Sequence, residues 1–164
     1  MSKAAIYYPA PAFFFAVSVG SGGTASQPSG SADASFQEVS GLDAKTEVET
    51  LVEGGENRYS HRLPKQGQYA NLVLKRGYVT ASSYLANWAA DTVGSTLAAP
   101  IQPQTLVVSL LGADQSPLVT WNFNRAWPVR WMAGPLDSLK NEVLTEQMEF
   151  SYAYVTRSLA GGNG

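Results

Sequence analysis

The stretch that decides the fold is Phe36–Pro64, FQEVSGLDAKTEVETLVEGGENRYSHRLP. It opens as a strand, turns at Gly41, continues as an alternating extended segment and breaks at the glycine pair 54–55. Charge is unevenly distributed, because residues 38–56 hold six carboxylates and one base, whereas residues 58–76 hold five bases and no acid. This order suits a subunit that meets copies of itself head to tail, and it equally suits an ordinary solvated hairpin.

Three segments in and next to the charged stretch are predicted to be extended. Residues 35–40 have strand composition, and residues 43–52 alternate charged with uncharged side chains, which predicts a strand or arm with one solvated face. The charged side of that arm carries Lys45, Glu47 and Glu49. Pro64 and Gly67 predict a turn before a further strand at 69–79.

The N-terminal part combines an apolar strand with a loop. Residues 13–19, FFFAVSV, are apolar on both faces, which predicts a strand in the centre of a sheet. Residues 20–34 are rich in Gly and Ser and predict a flexible loop. Pro9 and Pro11 interrupt the first apolar run, so we expect no signal peptide, no membrane span and synthesis in the cytoplasm.

The second half of the sequence predicts one helix and several strands. Ser82 or Ser83 can cap the helix, and Gly94 supplies a left-handed stop. Its apolar face, at 3.6-residue spacing, comprises Leu85, Trp88, Ala89 and Val93. The strands are predicted at 105–111 and 118–124, which form a hairpin, at 126–132, an edge strand because of Pro128, and at 142–155.

Together these elements predict a single, mainly β domain over residues 1–164. The expected architecture is a small β-barrel or sandwich of roughly seven or eight strands with one flanking α-helix. With 164 residues and 45% hydrophobic composition, the chain can bury a core without metals or disulfides. The tail at about 160–164 is expected to be disordered.

Composition excludes several functional classes. The formal net charge is −2. It argues against a nucleic-acid-binding protein, which would need a strongly basic surface. The absence of cysteine excludes a disulfide framework, a thiolate metal site and a cysteine nucleophile. A single histidine, His61, cannot build a multi-histidine metal site. We therefore expect no catalytic, metal or cofactor site.

Two side-chain patterns have both a functional and a structural interpretation. The glutamate pairs 47/49 and 53/56 could serve a glycosidase, but the same spacing arises on a solvated strand edge. Trp121, Trp127 and Trp131, with nearby arginines, could stack on sugars or bases, but tryptophans more often fill a core or an interface.

Several ungapped blocks, in order, resemble the tail-tube (inner tube) protein family of contractile phages and phage-like contractile injection systems. The blocks are FQEVSGLDAKTEVETLVEGGEN at 36–57, LP at 63–64, NLVLKRG at 71–77 and WNFNRAWPVRW at 121–131. The resemblance covers roughly residues 12–157. It implies a small β-barrel with one helix, a fold shared with the type VI secretion tube protein, and no active site or cofactor.

The same resemblance implies an assembly. Six copies would form a ring, and rings would stack into a hollow conduit for DNA or effector proteins. The expected partners are further copies of the chain, a surrounding sheath protein, the baseplate or spike, tube-initiator proteins and the cargo. The chain would be assembled in the cytoplasm and then reside in a virion tail or an extracellular contractile particle, without inserting into a membrane.

Under this resemblance we expect the segment from Asp43 to Tyr59 to be the arm between rings. The candidate contacts are Glu47, Glu49, Glu53, Asn57 and Arg58, with Lys75 and Arg76 as possible partners. Neighbours within a ring are expected to pair strand edges. The alternative function is a non-catalytic carbohydrate-binding β-domain that uses the three tryptophans, and assembly state would separate the two.

Overall fold

The computed structural model describes residues 15–20, 36–52, 54, 59–79, 83–94, 100–136, 139 and 142–159. Within these ranges the chain forms nine strands and one helix. They are β1 (Phe15–Gly20), β2 (Phe36–Ser40), β3 (Ala44–Leu51), β4 (His61–Tyr69), β5 (Leu72–Gly77), α1 (Tyr84–Gly94), β6 (Gln104–Leu111), β7 (Pro117–Ala133), β8 (Thr145–Ser151) and β9 (Tyr154–Leu159). The predicted class, mainly β with one helix, is confirmed.

The strands form one large antiparallel sheet and one small one. The large sheet has the order β1-β6-β7-β8-β5-β2, with β9 also paired to β7. In the described part of the chain β1 and β2 are the two end strands of this path and do not pair with each other, so the sheet is open. β3 and β4 pair only with each other in a separate two-stranded sheet.

Strand β7 is the spine of the large sheet. Its N-terminal half lies between β6 and β9, and its C-terminal half pairs with β8. A positive φ of 55° at Arg125 and a register shift between Pro128 and Arg130 bend the strand between the halves. The predicted short edge strand at 126–132 is wrong, because the bulge accommodates the buried Pro128 within a central strand.

Strands β8 and β9 replace the single strand predicted at 142–155. Both run antiparallel to β7, with Ser151 opposite Trp127 and Tyr154 opposite Asn124. The register therefore continues across the break, where the Ala153 N–H donates to the Asn124 carbonyl at 3.0 Å. The break lies opposite the bend in β7, which explains why one predicted strand becomes two.

The hydrophobic core lies between the sheet and helix α1. Buried apolar residues come from β1, β5, β6, β7, β8 and α1: Val17, Leu72, Leu74, Leu85, Trp88, Ala89, Leu106, Val108, Phe123, Ala126, Met148 and Phe150. Ser83 caps α1 by accepting the Ala86 N–H at 3.2 Å. Val93, in the last turn, is exposed. The helix ends at Gly94 without the predicted left-handed φ, since Gly41 is the one described glycine with a positive φ.

Strand β1 is at an edge, so its predicted central position is wrong. It pairs with β6 alone among the described strands, and its core face carries Phe15, Val17 and Val19. The opposite face carries the small side chains of Ala16 and Ser18, which need no second layer. Apart from Gly20, the predicted loop at 20–34 lies outside the described residues, as does the predicted tail at 160–164.

Candidate functional site

Strands β3 and β4 form an arm that projects from the body of the protein. Every residue of both strands is exposed, and neither strand contributes to the core. The predicted single solvated face is wrong, because both faces of this hairpin are solvated. A two-stranded hairpin is marginally stable by itself in water, so the arm is suited to being completed by a partner.

The register of the arm separates its side chains into two faces. One face is nearly uncharged, with the pairs Ala44–Tyr69, Thr46–Gly67, Val48–Pro64 and Thr50–Arg62. The other carries most of the charge and includes the pairs Lys45–Gln68, Glu49–Leu63 and Leu51–His61. The turn predicted at Pro64 and Gly67 is wrong: both residues lie inside β4, where a register shift accommodates the proline.

The predicted contact residues fall into four groups, the last of which is Arg76 alone. Glu47 and Glu49 are exposed on the charged face of the arm, where the Glu49 carboxylate lies 4.0 Å from the Lys65 ammonium. Lys75 lies on the face of β5 away from the core, opposite Glu38. The remaining candidates on the arm, Glu53, Asn57 and Arg58, lie outside the described residues.

Arg76 is buried, with only 2% of its surface exposed. Its Nε donates to Glu146 Oε1 at 2.5 Å, and its Nη2 donates to Ser83 Oγ at 2.6 Å. Trp131 Nε1 donates to Glu146 Oε2 at 3.3 Å, and the guanidinium lies 5.1 Å from the Phe36 ring centroid. The side chain therefore links β5 to β8, β2 and the N-terminus of α1, and we remove it from the candidate contacts.

The root of the arm is fixed to the body at two points. Gly41 has a φ of 83°, and a Cβ there would overlap the Asn71 carbonyl oxygen, so this position requires glycine. At the other side of the root, the Tyr69 ring lies 5.5 Å from the Tyr152 ring, which in turn lies 4.9 Å from Phe123. The predicted turn at Gly41 is confirmed.

An apolar surface that the sequence analysis missed lies on the connection between β7 and β8. Leu136 and Val143 are 86% and 79% exposed. They border a cavity of about 240 Å³ whose lining also includes Pro135 and Glu142. The backbone holds this surface against the end of β5, because the Tyr78 N–H donates to the Leu144 carbonyl at 2.8 Å. Apolar residues beside Pro135 were the only sequence signal.

The three tryptophans do not form a common platform. Trp121 and Trp131 pack against the core, and Trp131 also bonds to Glu146. Trp127 precedes the buried Pro128 in β7 and therefore points to the opposite face. This arrangement matches the structural interpretation of the cluster.

The described residues offer neither a metal site nor a membrane-spanning helix. Within those ranges, no three His, Asp or Glu side chains converge as they would around a metal ion. Across the same residues, the helix is too short and too polar to cross a bilayer.

The model of the family described as T4-like virus tail tube protein gp19 matches residues 11–156. The chain belongs to this family. The predicted family resemblance is thereby confirmed, and the chain is a structural subunit of a contractile-system tail tube. No curated protein sequence matched it.

Solved structures of contractile injection systems contain similar chains. A chain in the baseplate of the anti-feeding prophage (AFP) is 31% identical, with 95% of this chain and 99% of that chain covered and a TM-score of 0.79. A chain in the extended PVC sheath–tube complex, an extracellular contractile injection system, is 23% identical, with 94% of each chain covered and a TM-score of 0.76. A type six secretion system protein, at 14% identity, 89% and 83% coverage and a TM-score of 0.54, shares the fold.

Proposed function

We propose that this tail tube protein assembles into six-membered rings that stack into the hollow inner tube of a contractile tail or extracellular injection system. The observation that carries the proposal is the fully exposed β3–β4 arm in a chain of a tube-forming family. The AFP relative, 31% identical, comes from a structure that was averaged with six-fold symmetry. In this proposal residues 1–164 form one tail-tube domain.

The contacts within a ring are proposed at the open sheet edges. Among the described strands, β1 and β2 end the strand path, and each has one edge without a described partner strand that a neighbouring copy could pair with. Pairing these edges between neighbours continues the sheet around the ring and removes edges that would otherwise aggregate.

The contacts between rings are proposed on the arm. Glu47 and Glu49 are exposed at its charged face, and the candidates Glu53, Asn57 and Arg58 follow along the same segment. Lys75 stays a candidate polar partner on the outer face of β5. Polar contacts of this kind provide specificity and reversible association rather than high affinity.

The remaining elements of the proposal concern the particle around the tube. Similar chains occur in structures of an AFP baseplate, an AFP tube-terminating cap and a PVC sheath–tube complex. We propose comparable sheath, baseplate or spike, and tube-initiator partners for this chain, with DNA or effector proteins as cargo in the channel. The role is that of a conduit without catalysis, and assembly takes place in the cytoplasm before the particle is released.

Native mass spectrometry of the purified chain tests the ring. We expect a species at six times the monomer mass of 17.5 kDa, and multiples of that species as rings stack. Monomers or dimers alone over a wide range of protein concentration would contradict the ring. A tryptophan fluorescence shift on adding sugars would then favour the carbohydrate-binding alternative.

A further inference from the structure

Two exposed surfaces lie near the opposite ends of strand β5. The arm joins the sheet at Asn71, immediately before the first residue of β5, and at Gly41 beside it. The β7–β8 connection lies at the other end, where Gly77 is opposite Thr145. Six residues of strand span roughly 20 Å. The root of the arm and the β7–β8 connection are therefore separated by the whole length of β5.

The loop surface, defined here as Gly134–Leu136 and Glu142–Thr145, has the character of a receiving site. Leu136 and Val143 expose most of their surface, and the open cavity of about 240 Å³ that they border, whose walls mix polar and apolar groups, has room for an aliphatic side chain. Adjacent exposed apolar residues around a concavity mark an interaction site.

The distal arm, defined here as residues 51–52 and 59–63, has the complementary character. Its exposed apolar side chains are Leu51, Val52, Tyr59 and Leu63. Val52, at 74% exposed, follows the last residue of β3. The distal arm also carries the exposed cation Arg62, whereas Glu142 supplies an exposed anion at the rim of the loop surface.

We propose that the distal arm of one copy binds the loop surface of the next copy along the tube, with an apolar side chain of residues 51–52 in the cavity and Arg62 facing Glu142. The occupant is a second copy of this chain. The inference rests on the stacking proposed above and identifies the surface that receives the distal arm, whereas Lys75 is proposed only as a polar partner of the glutamates on the charged face of the arm.

The positions of the two surfaces explain why such contacts would propagate. A contact between two different surfaces of identical subunits is heterologous, and it repeats without limit when its geometry does not close a ring. Because the surfaces lie at opposite ends of β5, each added copy presents a new loop surface at one end and a new arm at the other. Each added copy therefore lengthens the tube, and every layer inside the tube has both its arm and its loop surface in contact with a neighbouring layer.

Cysteine cross-linking tests the inference, since the natural sequence contains no cysteine. The variants Val52→Cys and Leu136→Cys are purified separately, mixed, assembled and oxidised. We expect the mixture to shift from monomer to disulfide-linked dimer on a non-reducing denaturing gel, and each variant alone to stay monomeric. A mixture of Val52→Cys with Lys75→Cys is the matched control for the competing surface, and Leu51→Cys replaces Val52→Cys if that variant does not assemble.

The outcomes separate this inference from the function on which it rests. Dimers in the Val52/Leu136 mixture and not in the Lys75 control support it. Tubes that form without this cross-link, or that cross-link through Lys75→Cys, overturn the inference and leave the tube function intact. Absence of rings and tubes from the wild-type chain overturns both.

Discussion

At the scale of single residues, the buried pair of Arg76 and Glu146 is the main polar feature of the core. Each side chain is only 2% exposed. Removing two charges from water costs free energy that their mutual attraction only partly offsets, so the net contribution of such a pair to stability is small. Its role follows from what it joins: strands β5 and β8, Trp131 of β7 and the Ser83 cap of α1.

We predict that Glu146→Leu lowers the free energy of unfolding by about 3–5 kcal/mol, because it leaves Arg76 charged and buried without its carboxylate. The double variant Arg76→Met with Glu146→Leu removes both charges and should recover most of that loss. Urea unfolding of both variants measures the difference. A loss below about 1 kcal/mol in the single variant would contradict the interpretation of the pair.

Gly41 allows a second prediction, with an internal control. Gly41→Ala places a Cβ in a left-handed backbone and against the Asn71 carbonyl oxygen, and should cost about 1–3 kcal/mol or more. Gly67→Ala adds a Cβ with nothing within 4 Å, and should change stability by less than about 0.5 kcal/mol. Equal urea midpoints for the two variants would show that the root of the arm is not constrained at Gly41.

Tyr152 provides a prediction about alkaline pH. Burial, followed by the negative charge of Asp43 and by Tyr69, raises the pKa of Tyr152. The folded state therefore favours the neutral phenol, and this stabilisation is present below the unfolded pKa of about 10 and lost as pH rises through the raised folded value. Tyr152→Phe should flatten the decline of stability above about pH 10.

At neutral pH the same variant should keep or increase stability, since the Tyr152 hydroxyl is buried without a hydrogen-bond partner among the described residues. Thermal unfolding of both proteins from neutral to alkaline pH makes the comparison. Parallel curves for wild type and Tyr152→Phe throughout that range would refute the assignment.

Sequence reasoning at the residue scale succeeded where the cause is local. The Ser83 cap, the turn at Gly41 and three of the four residues of the predicted apolar face of α1, all but the exposed Val93, depend on neighbours along the chain. Arg76 falls on the same inward face of β5 as Leu72 and Leu74. Its burial was not predicted, because charged side chains are rarely buried unless paired. Its partner lies 70 residues away, so only the folded sheet reveals the pair.

At the scale of elements, the arm is the part of the molecule that we propose to act through a partner. Both of its strands are exposed, and its charged face holds Glu49 and Lys65 close to each other. Exposed charge pairs contribute about 0–1 kcal/mol to stability, so they are free to serve association. Rim charges act mainly on the rate at which subunits associate.

We predict that Glu49→Lys shortens tubes and leaves the monomer folded, with less than about 1 kcal/mol lost from the free energy of unfolding. Tube lengths are measured by negative-stain electron microscopy at low and high salt, since the effect should diminish at high salt. The control is the swapped pair, Glu49→Lys with Lys65→Glu. Unaltered tube lengths, or full recovery in the swapped pair, would count against a contact between rings at Glu49.

Prolines explain most of the errors in predicting the elements. Pro128 and Pro64 suggested an edge strand and a turn, but both lie within strands next to register shifts. A bulge depends on the partner strand, which the local sequence does not specify. Similarly, the alternation of residues 43–52 predicted a strand correctly but could not show that no second layer covers it.

At the scale of the whole molecule, we propose that the candidate site is a set of surfaces for copies of the same chain. Open edges at β1 and β2, the arm and the loop surface lie on different parts of one subunit. The charge asymmetry within 36–76 and the family resemblance predicted such an assembly from the sequence. The loop surface could not be predicted, because its residues become a surface only when β7 and β8 pair and bring the ends of their connection together.

The most direct test of the tube function is negative-stain electron microscopy of the purified chain at two concentrations. We expect hollow rings with six-fold symmetry at the lower concentration and stacks of these rings, with a continuous channel, at the higher one. Particles that stay monomeric at both concentrations, or that assemble without a central channel, would contradict it.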